Sequence, residues 1–405
     1  MENEKTNLII RKLKKQVKGI TLIALVVTII VLLILAGIAL NLTIGQNGIF
    51  SRAQTAANTW RNAETNEQLA MEELEDWMDG YMNGNGGNQG GGDTTGSTLG
   101  TVTGTETTNT EVKDSLENKV VVPAGFKVVN PEDNVEDGII IEDVTHGATT
   151  GSQFVWIPVG TIHREEKEDI TITLERYVFN SDGTINTELS KTKPTDQLKI
   201  GSDYYTEGLK DSSTTNTHAK DIETFISKVN STGGYYIGRY EARDGTTDIA
   251  RTSSTSEKNQ LVCTADNYVY NYVTQIQAAS LSQNMYSDRN FESDLMNSYA
   301  WDTAIVFIQE CSGKSNYSIQ TSLNNGSLTS QGTNNLDTKD VVCNIYDMAS
   351  NCKEWSTETI KDETYPFVSR GGCYNSSTIN TTNRYCDGSN FSRINDSFRP
   401  LLYLQ

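Results

Sequence analysis

"NIYDMASNCKEW", residues 344–355, sets the polar residues Asp347, Asn351 and Glu354 among the apolar Met348 and Trp355. Such interleaving is expected of a tight, internally hydrogen-bonded loop packed on a core strand. Outward from it, short apolar runs recur between Gly, Asn, Asp and Ser turns: "NKVVVPAGFKVV" (118–129), "GIIIEDV" (138–144), "FVWIPVG" (154–160) and "GGYYIGRYEARDG" (233–245). These read as strands. Helical spacing is expected near "AKDIETFISKVN" (219–230), through "NYVYNYVTQIQAASLSQNM" (267–285) and over "SYAWDTAIVFIQECSG" (298–313). Mixed elements without a fixed repeat predict one α+β domain with long loops over 119–405.

Five blocks, "FVWIPVG", "GGYYIGRYEARDG", "NIYDMASNCKEW", "VSRGG" (368–372) and "SFRPLLYL" (397–404), occur in that order. Together they resemble the formylglycine-generating enzyme family, also called sulfatase-modifying factors, whose domain is a variant of the C-type lectin fold. The resemblance implies that fold here. Catalytic members hold copper with two cysteines five positions apart, a few residues past the Gly-Gly, and soft thiolates suit Cu(I). The matching positions in this chain are Ser376 and Thr381, whereas Cys373 and Cys386 stand thirteen apart. The departure falls where the family's chemistry lies, so the expectation is a binding protein and not an oxidase. The resemblance also implies a calcium beside the "EW" element, with Glu354 as charged ligand and Ser350 and Cys352 giving carbonyl oxygens. Ser350 stands where the family has Gly, and a Glu354 hydrogen-bonded within its own loop is the preferred reading, so no cofactor is expected.

Composition narrows the remaining classes. The 405 residues carry 33 basic and 52 acidic side chains, a formal charge of −19, which opposes nucleic-acid partners. Three scattered histidines, His146, His163 and His218, offer little for a zinc or acid–base site. The six cysteines, Cys263, Cys311, Cys343, Cys352, Cys373 and Cys386, contain no CxxC; buried thiols or one or two bridges both fit, and spacing cannot choose a pairing.

The first eighteen residues are basic, and Ile20 to Leu40 is an uncharged apolar run about 31 Å long as a helix, enough to span a bilayer. "KGITLIALVVTIIVLLILAG" resembles the start of type IV prepilins. That likeness implies a leader of residues 1–19 cut by a prepilin peptidase between Gly19 and Ile20. Ala24 occupies the position where pilins usually carry Glu, which favours a pilin-like membrane anchor over a polymerising subunit that packs with other pilins. The membrane helix and stalk are expected over 20–82, and a Gly/Asn/Thr-rich tether over 83–118 with almost nothing to bury. A bacterial membrane protein with its C-terminal domain outside the cell is implied.

From Tyr374 to Asp396 the chain is poor in aliphatic residues and bracketed by blocks that read as fixed strands. Tyr, Asn, Ser and Arg on a rigid frame suit binding surfaces. Tyr374, Asn375, Asn380, Asn383, Tyr385, Asn390, Phe391 and Asn395 are the candidate contacts for a protein or glycan. The bracketing resembles the variable proteins of diversity-generating retroelements, in which adenine-directed mutation of Asn codons yields Asn, Tyr, Ser, Thr, Asp, Ile and Cys. The expected function is therefore surface-displayed ligand binding; a copper-dependent oxidase and a minor structural pilin are the alternatives.

Overall fold

The computed structural model describes residues 97–207, 220–246, 251–253, 260–265, 268–287, 289–322, 340–361, 364–388 and 390–405. All lie in one compact unit, Thr94–Gln405, and the preceding unit, Met1–Asp93, falls outside the described residues together with the expected leader, the Gly19–Ile20 junction and the membrane helix. Among the described residues no helix is long and apolar enough to cross a membrane.

The longest apolar runs form the first sheet, as strands buried on both faces should. Its six strands lie in the order Phe291–Leu295, Pro400–Leu404, Gly234–Gly238, Gln153–Pro158, Ile140–Asp143 and Phe126–Val128, antiparallel throughout. Trp156 sits opposite Tyr236, ring centroids 4.9 Å apart. A side chain on Gly234 would meet the Trp156 ring at 2.3 Å, which accounts for a glycine in the middle of a core sheet. Two helices cover one face: Phe225 of Ile222–Thr232 packs edge-on against Tyr235 and Tyr403, and Tyr235 donates to the Ala300 carbonyl of Ser298–Ser312 at 2.6 Å. Asp221 and Asn297 cap these helices at the start, and Gly233 and Gly313 end them in the left-handed conformation.

The second sheet runs Arg384–Asp387, Phe367–Arg370, Lys353–Ile360, Asp203–Glu207 and Leu198–Ile200. Asp396–Phe398 pairs parallel to the start of Lys353–Ile360, bringing Lys353 opposite Asp396. Arg399 then carries the chain directly into the Pro400–Leu404 strand of the first sheet, so one short stretch stitches the two sheets together.

The architecture is α+β, mostly sheet with three α-helices among the described residues. Two expectations are corrected. The tether assigned to 83–118 ends too late: Thr110–Lys113 pairs with Lys119–Val122, and Leu99, Val102 and Val112 are buried. Three apolar residues among many Thr and Gly suffice once a neighbouring strand supplies the partner surface. The helix expected from 267 begins only at Gln275, because Thr274 forms a capping box with Gln277. The β-branched and aromatic residues before it leave the helix, with Val269 bridging to Arg243 and Tyr272 at a φ of 52°.

Candidate functional site

The segment from Cys373 to Asn395 contains the edge strand of the second sheet, Arg384–Asp387, paired with Phe367–Arg370, and is fastened at three further places. At its start Ser322 Oγ donates to the Cys373 carbonyl at 2.7 Å, and the Tyr374 amide donates to Asn351 at 2.7 Å. In the middle, Thr381 is buried; its amide and hydroxyl donate to the carbonyls of Gln320 and Tyr317, and its own carbonyl accepts from Trp301 Nε1 at 3.0 Å. At its end the carbonyls of Arg393, Ile394 and Asn395 accept from Tyr272 N, Asn271 Nδ2 and Lys353 N.

Buried charge reinforces these ties. Arg370 and Arg384 share two carboxylates, Asp302 and Glu358: Arg384 Nη2 lies 2.6 Å from Asp302 and its Nε 2.9 Å from Glu358, while Arg370 reaches Asp302 at 2.5 Å and Glu358 at 3.4 Å. Burial works against the charge on Arg384, but the two carboxylates outweigh it and hold its pKa above the ordinary arginine value. Arg370 Nε also donates to the Asn383 carbonyl at 3.2 Å. Two cations answering two anions in one dry site fix the position of the 383–385 backbone.

Above this frame stands a ladder of rings and cations. Tyr365, 45% exposed, stacks on half-buried Phe391 with centroids 6.1 Å apart and planes 20° from parallel. The Arg393 guanidinium lies 4.3 Å from the Phe391 centroid and 5.9 Å from that of Tyr385. Tyr385 is 39% exposed, with Lys353 Nζ beneath its ring at 3.9 Å. Asp387 holds Arg393 in place through contacts of 2.7 and 3.2 Å.

Of the expected contacts, the structure therefore joins Tyr385 and Phe391 through Arg393. Asn375 is exposed and accepts from Asn395 Nδ2 at 3.4 Å; Asn390 is exposed and Tyr374 half-buried. Asn380 and Asn383 are also half-buried but occupy the turn tied to 317–321, where Asn380 accepts from the Thr382 hydroxyl and the Asn383 amide. Tyr365, Arg393 and Lys353 were missed. Tyr365 lies upstream of the segment, beside Pro366; Arg393 lies within it, two residues after Phe391, and that spacing was the available signal.

The thiols do not form an activated pair. Burial pushes the Cys373 thiol up and the Cys352 thiol well up, the direction that keeps a thiol protonated and unreactive. Cys373 Sγ donates to Asn375 Oδ1 at 3.1 Å, and half-buried Cys386 packs against the small cluster of Val178, Leu198, Tyr205 and Val368. Burial likewise raises Cys263, Cys343 and Cys311, the last to about 12.

At the position considered for calcium, Arg399 is the charge that faces Glu354. Its Nη2 and Nε reach Oε1 at 2.7 and 3.2 Å, and Nε reaches Oε2 at 3.0 Å. Ser350 Oγ donates to Asp347 and Asp340, and the Cys352 amide donates to Glu241. Burial, then the neighbouring Glu354, pushes Glu241 well above the usual carboxylate range. Among the described residues no group of three or more His, Cys, Asp and Glu side chains is placed to hold a metal ion. His146 and His163 each face their own aspartate, Asp143 at 2.8 Å and Asp169 at 2.9 Å, and His218 lies outside the described residues.

No protein-family model matches the chain, and no curated protein matches it. A solved structure titled "Crystal Structure of CarF" is similar at 14% identity with a TM-score of 0.17, over 31% of this chain and about half (53%) of that one. A likeness so slight defines neither fold nor activity.

Proposed function

We propose that this chain is a surface-displayed binding protein, with a head of the C-type-lectin, formylglycine-generating-enzyme type that recognises a protein or glycan through the Tyr374–Asn395 segment. The observation that carries the reading is the ladder of Tyr365, Phe391, Arg393 and Tyr385, half-open to solvent and fixed on buried ion pairs. Aromatic faces held rigidly bring contact area at little cost in conformational entropy, and the flanking Asn375 and Asn390 can adjust their hydrogen bonds. A pilin-like anchor spanning residues 20–40 and a tether would place that head outside a bacterial cell. The likeness to retroelement variable proteins gives the segment a reason to be rich in Asn, Tyr and Ser. The copper-oxidase alternative asks for paired thiolates, and burial shifts Cys373 the other way.

The test is a glycan and protein array probed with residues 94–405. A ligand should be found whose affinity falls at least about tenfold in Tyr385→Ala and Phe391→Ala, the loss expected of aromatic anchors. Unchanged affinity in both variants, or tight Cu(I) binding that depends on Cys373 and Cys386, would overturn the reading.

A further inference from the structure

Lys353 and Asp396 occupy directly paired positions on adjacent parallel strands, and both side chains are sealed from water, at 2% and 0% exposure. Lys353 Nζ lies 2.8 Å from Asp396 Oδ1, yet the contact lacks hydrogen-bond alignment, and neither oxygen of Asp396 has a hydrogen-bond partner. The nearest other cation, Arg393, remains 3.9 Å away. A second carboxylate, Asp387, stands 3.9 Å from the same Nζ, and the Tyr385 ring closes over it. An amine and a carboxyl group are thus held in van der Waals contact in a dry site, with a third group able to carry a proton.

We propose that Lys353 and Asp396 are the site of an intramolecular isopeptide bond. Asp387 relays a proton from Nζ to a carboxyl oxygen of Asp396, and the neutral amine attacks Cγ of the resulting acid and forms the C–N bond. The C–O bond to one carboxyl oxygen breaks, and that oxygen leaves as water with the two protons lost from nitrogen. Asp387 passes the second proton to the departing oxygen and returns to its starting state, so ammonium plus carboxylate become amide plus water and no oxidant or co-reactant is consumed. Burial raises Asp387 above its ordinary value although Arg393 and Lys353 work against it, the direction a proton carrier needs.

Two physical arguments favour the reaction at this pair. Fixed contact between reacting groups replaces a bimolecular encounter and removes the entropic part of the barrier to amide formation. A buried ion pair without supporting hydrogen bonds also sits poorly in a low dielectric, whereas a neutral amide removes both charges from the interior. The bond would close the chain between residues 353 and 396 into a covalent loop containing the candidate binding segment. The inference holds whatever that segment binds.

The experiment is peptide mapping by mass spectrometry on the full chain, purified in detergent from the cells that produce it. Expected is a branched peptide joining Lys353 to Asp396, one water lighter than its two arms, with trypsin failing to cut after Lys353. Asp387→Asn should leave the protein soluble but with most of the branch missing. Recovery of both residues in ordinary linear peptides from folded wild-type protein would overturn the proposal, as would a water loss confined to a single linear peptide. Full cross-linking in Asp387→Asn would overturn the proton-carrying role assigned to Asp387.

Discussion

The two sheets of this molecule differ in how much charge is buried around them. Around the first, Phe126, Phe154, Trp156, Tyr235, Tyr236 and Leu402 are buried against one another in a continuous apolar core. Around the second, Trp355, Phe367 and Phe398 join that core and a separate small cluster holds Val178, Leu198, Tyr205 and Val368, but Arg370, Asp302, Glu358, Lys353, Asp396 and the side chain of Arg384 are buried as well. Apolar burial is strong but non-directional, so it stabilises a sheet without dictating which residues face outward. Ion pairs with fixed hydrogen-bond geometry hold particular atoms in particular places. The half that carries the candidate binding segment is the half whose interior sets positions.

The sharpest way to break that contrast is to remove one ion. Asp302→Ala leaves Arg370 and Arg384 sharing Glu358 alone and takes the acceptor from the Tyr177 amide. A cost of about 3–5 kcal/mol is expected, since an uncompensated buried charge remains. Denaturant unfolding measures it. A loss below about 1 kcal/mol, the size seen for exposed pairs, would mean that the cluster does not organise this half.

A second test asks how the apolar half tolerates charge. Asp294, in the Phe291–Leu295 strand, has its carboxyl raised to about 6 by burial, despite hydrogen bonds from the Lys220 amide, Gln283 and the Leu295 amide. A folded-state pKa above the unfolded value means that the folded chain holds the extra proton. The associated stability is complete below about pH 4 and lost as pH rises through about 6, on the order of 3 kcal/mol in all. Stability curves of wild type and Asp294→Asn over pH 4–8 should differ by that slope. Parallel curves would show that Asp294 ionises as though in water.

Which of these features could be read from the chain follows from how local each one is. "FVWIP" and "YYI" declare themselves as buried strands because every residue is apolar, and Ile222–Thr232 and Ser298–Ser312 fall where helical spacing is expected, whereas that spacing passes over the cap at Thr274 and begins its helix too early. The ribbon at 110–122 was hidden because Thr110 to Lys113 gains a buried face only through its pairing with 119–122. The ion cluster was illegible for a stronger reason: Asp302 meets Arg370 and Arg384 across 68 and 82 residues of sequence. No spacing rule reaches that far. The candidate segment was legible as polar and bracketed, but its partner Tyr365 belongs to the preceding turn and joins only through stacking on Phe391.

The smallest expected effect tests whether the frame is as stiff as the contrast requires. Gly372 packs against the 344–355 loop: a Cβ there would come within 1.9 Å of the Ala349 carbonyl oxygen, backbone and not a movable side chain. That loop is already constrained, since Asp347 and Asn351 hold φ values of 61° and 54°, a region few residues other than glycine enter. Ala349 cannot retreat without disturbing the hydrogen bond its carbonyl accepts from Ser322 and the one Asn351 accepts from the Tyr374 amide. Gly372→Ala should therefore cost about 1–3 kcal/mol, as overpacking does. More tellingly, it should release the Tyr374 amide to hydrogen exchange while amides of the Gly234–Gly238 strand stay protected. If Tyr374 keeps its protection, the loop gives way easily and the segment rests on a softer support than its buried ion pairs suggest.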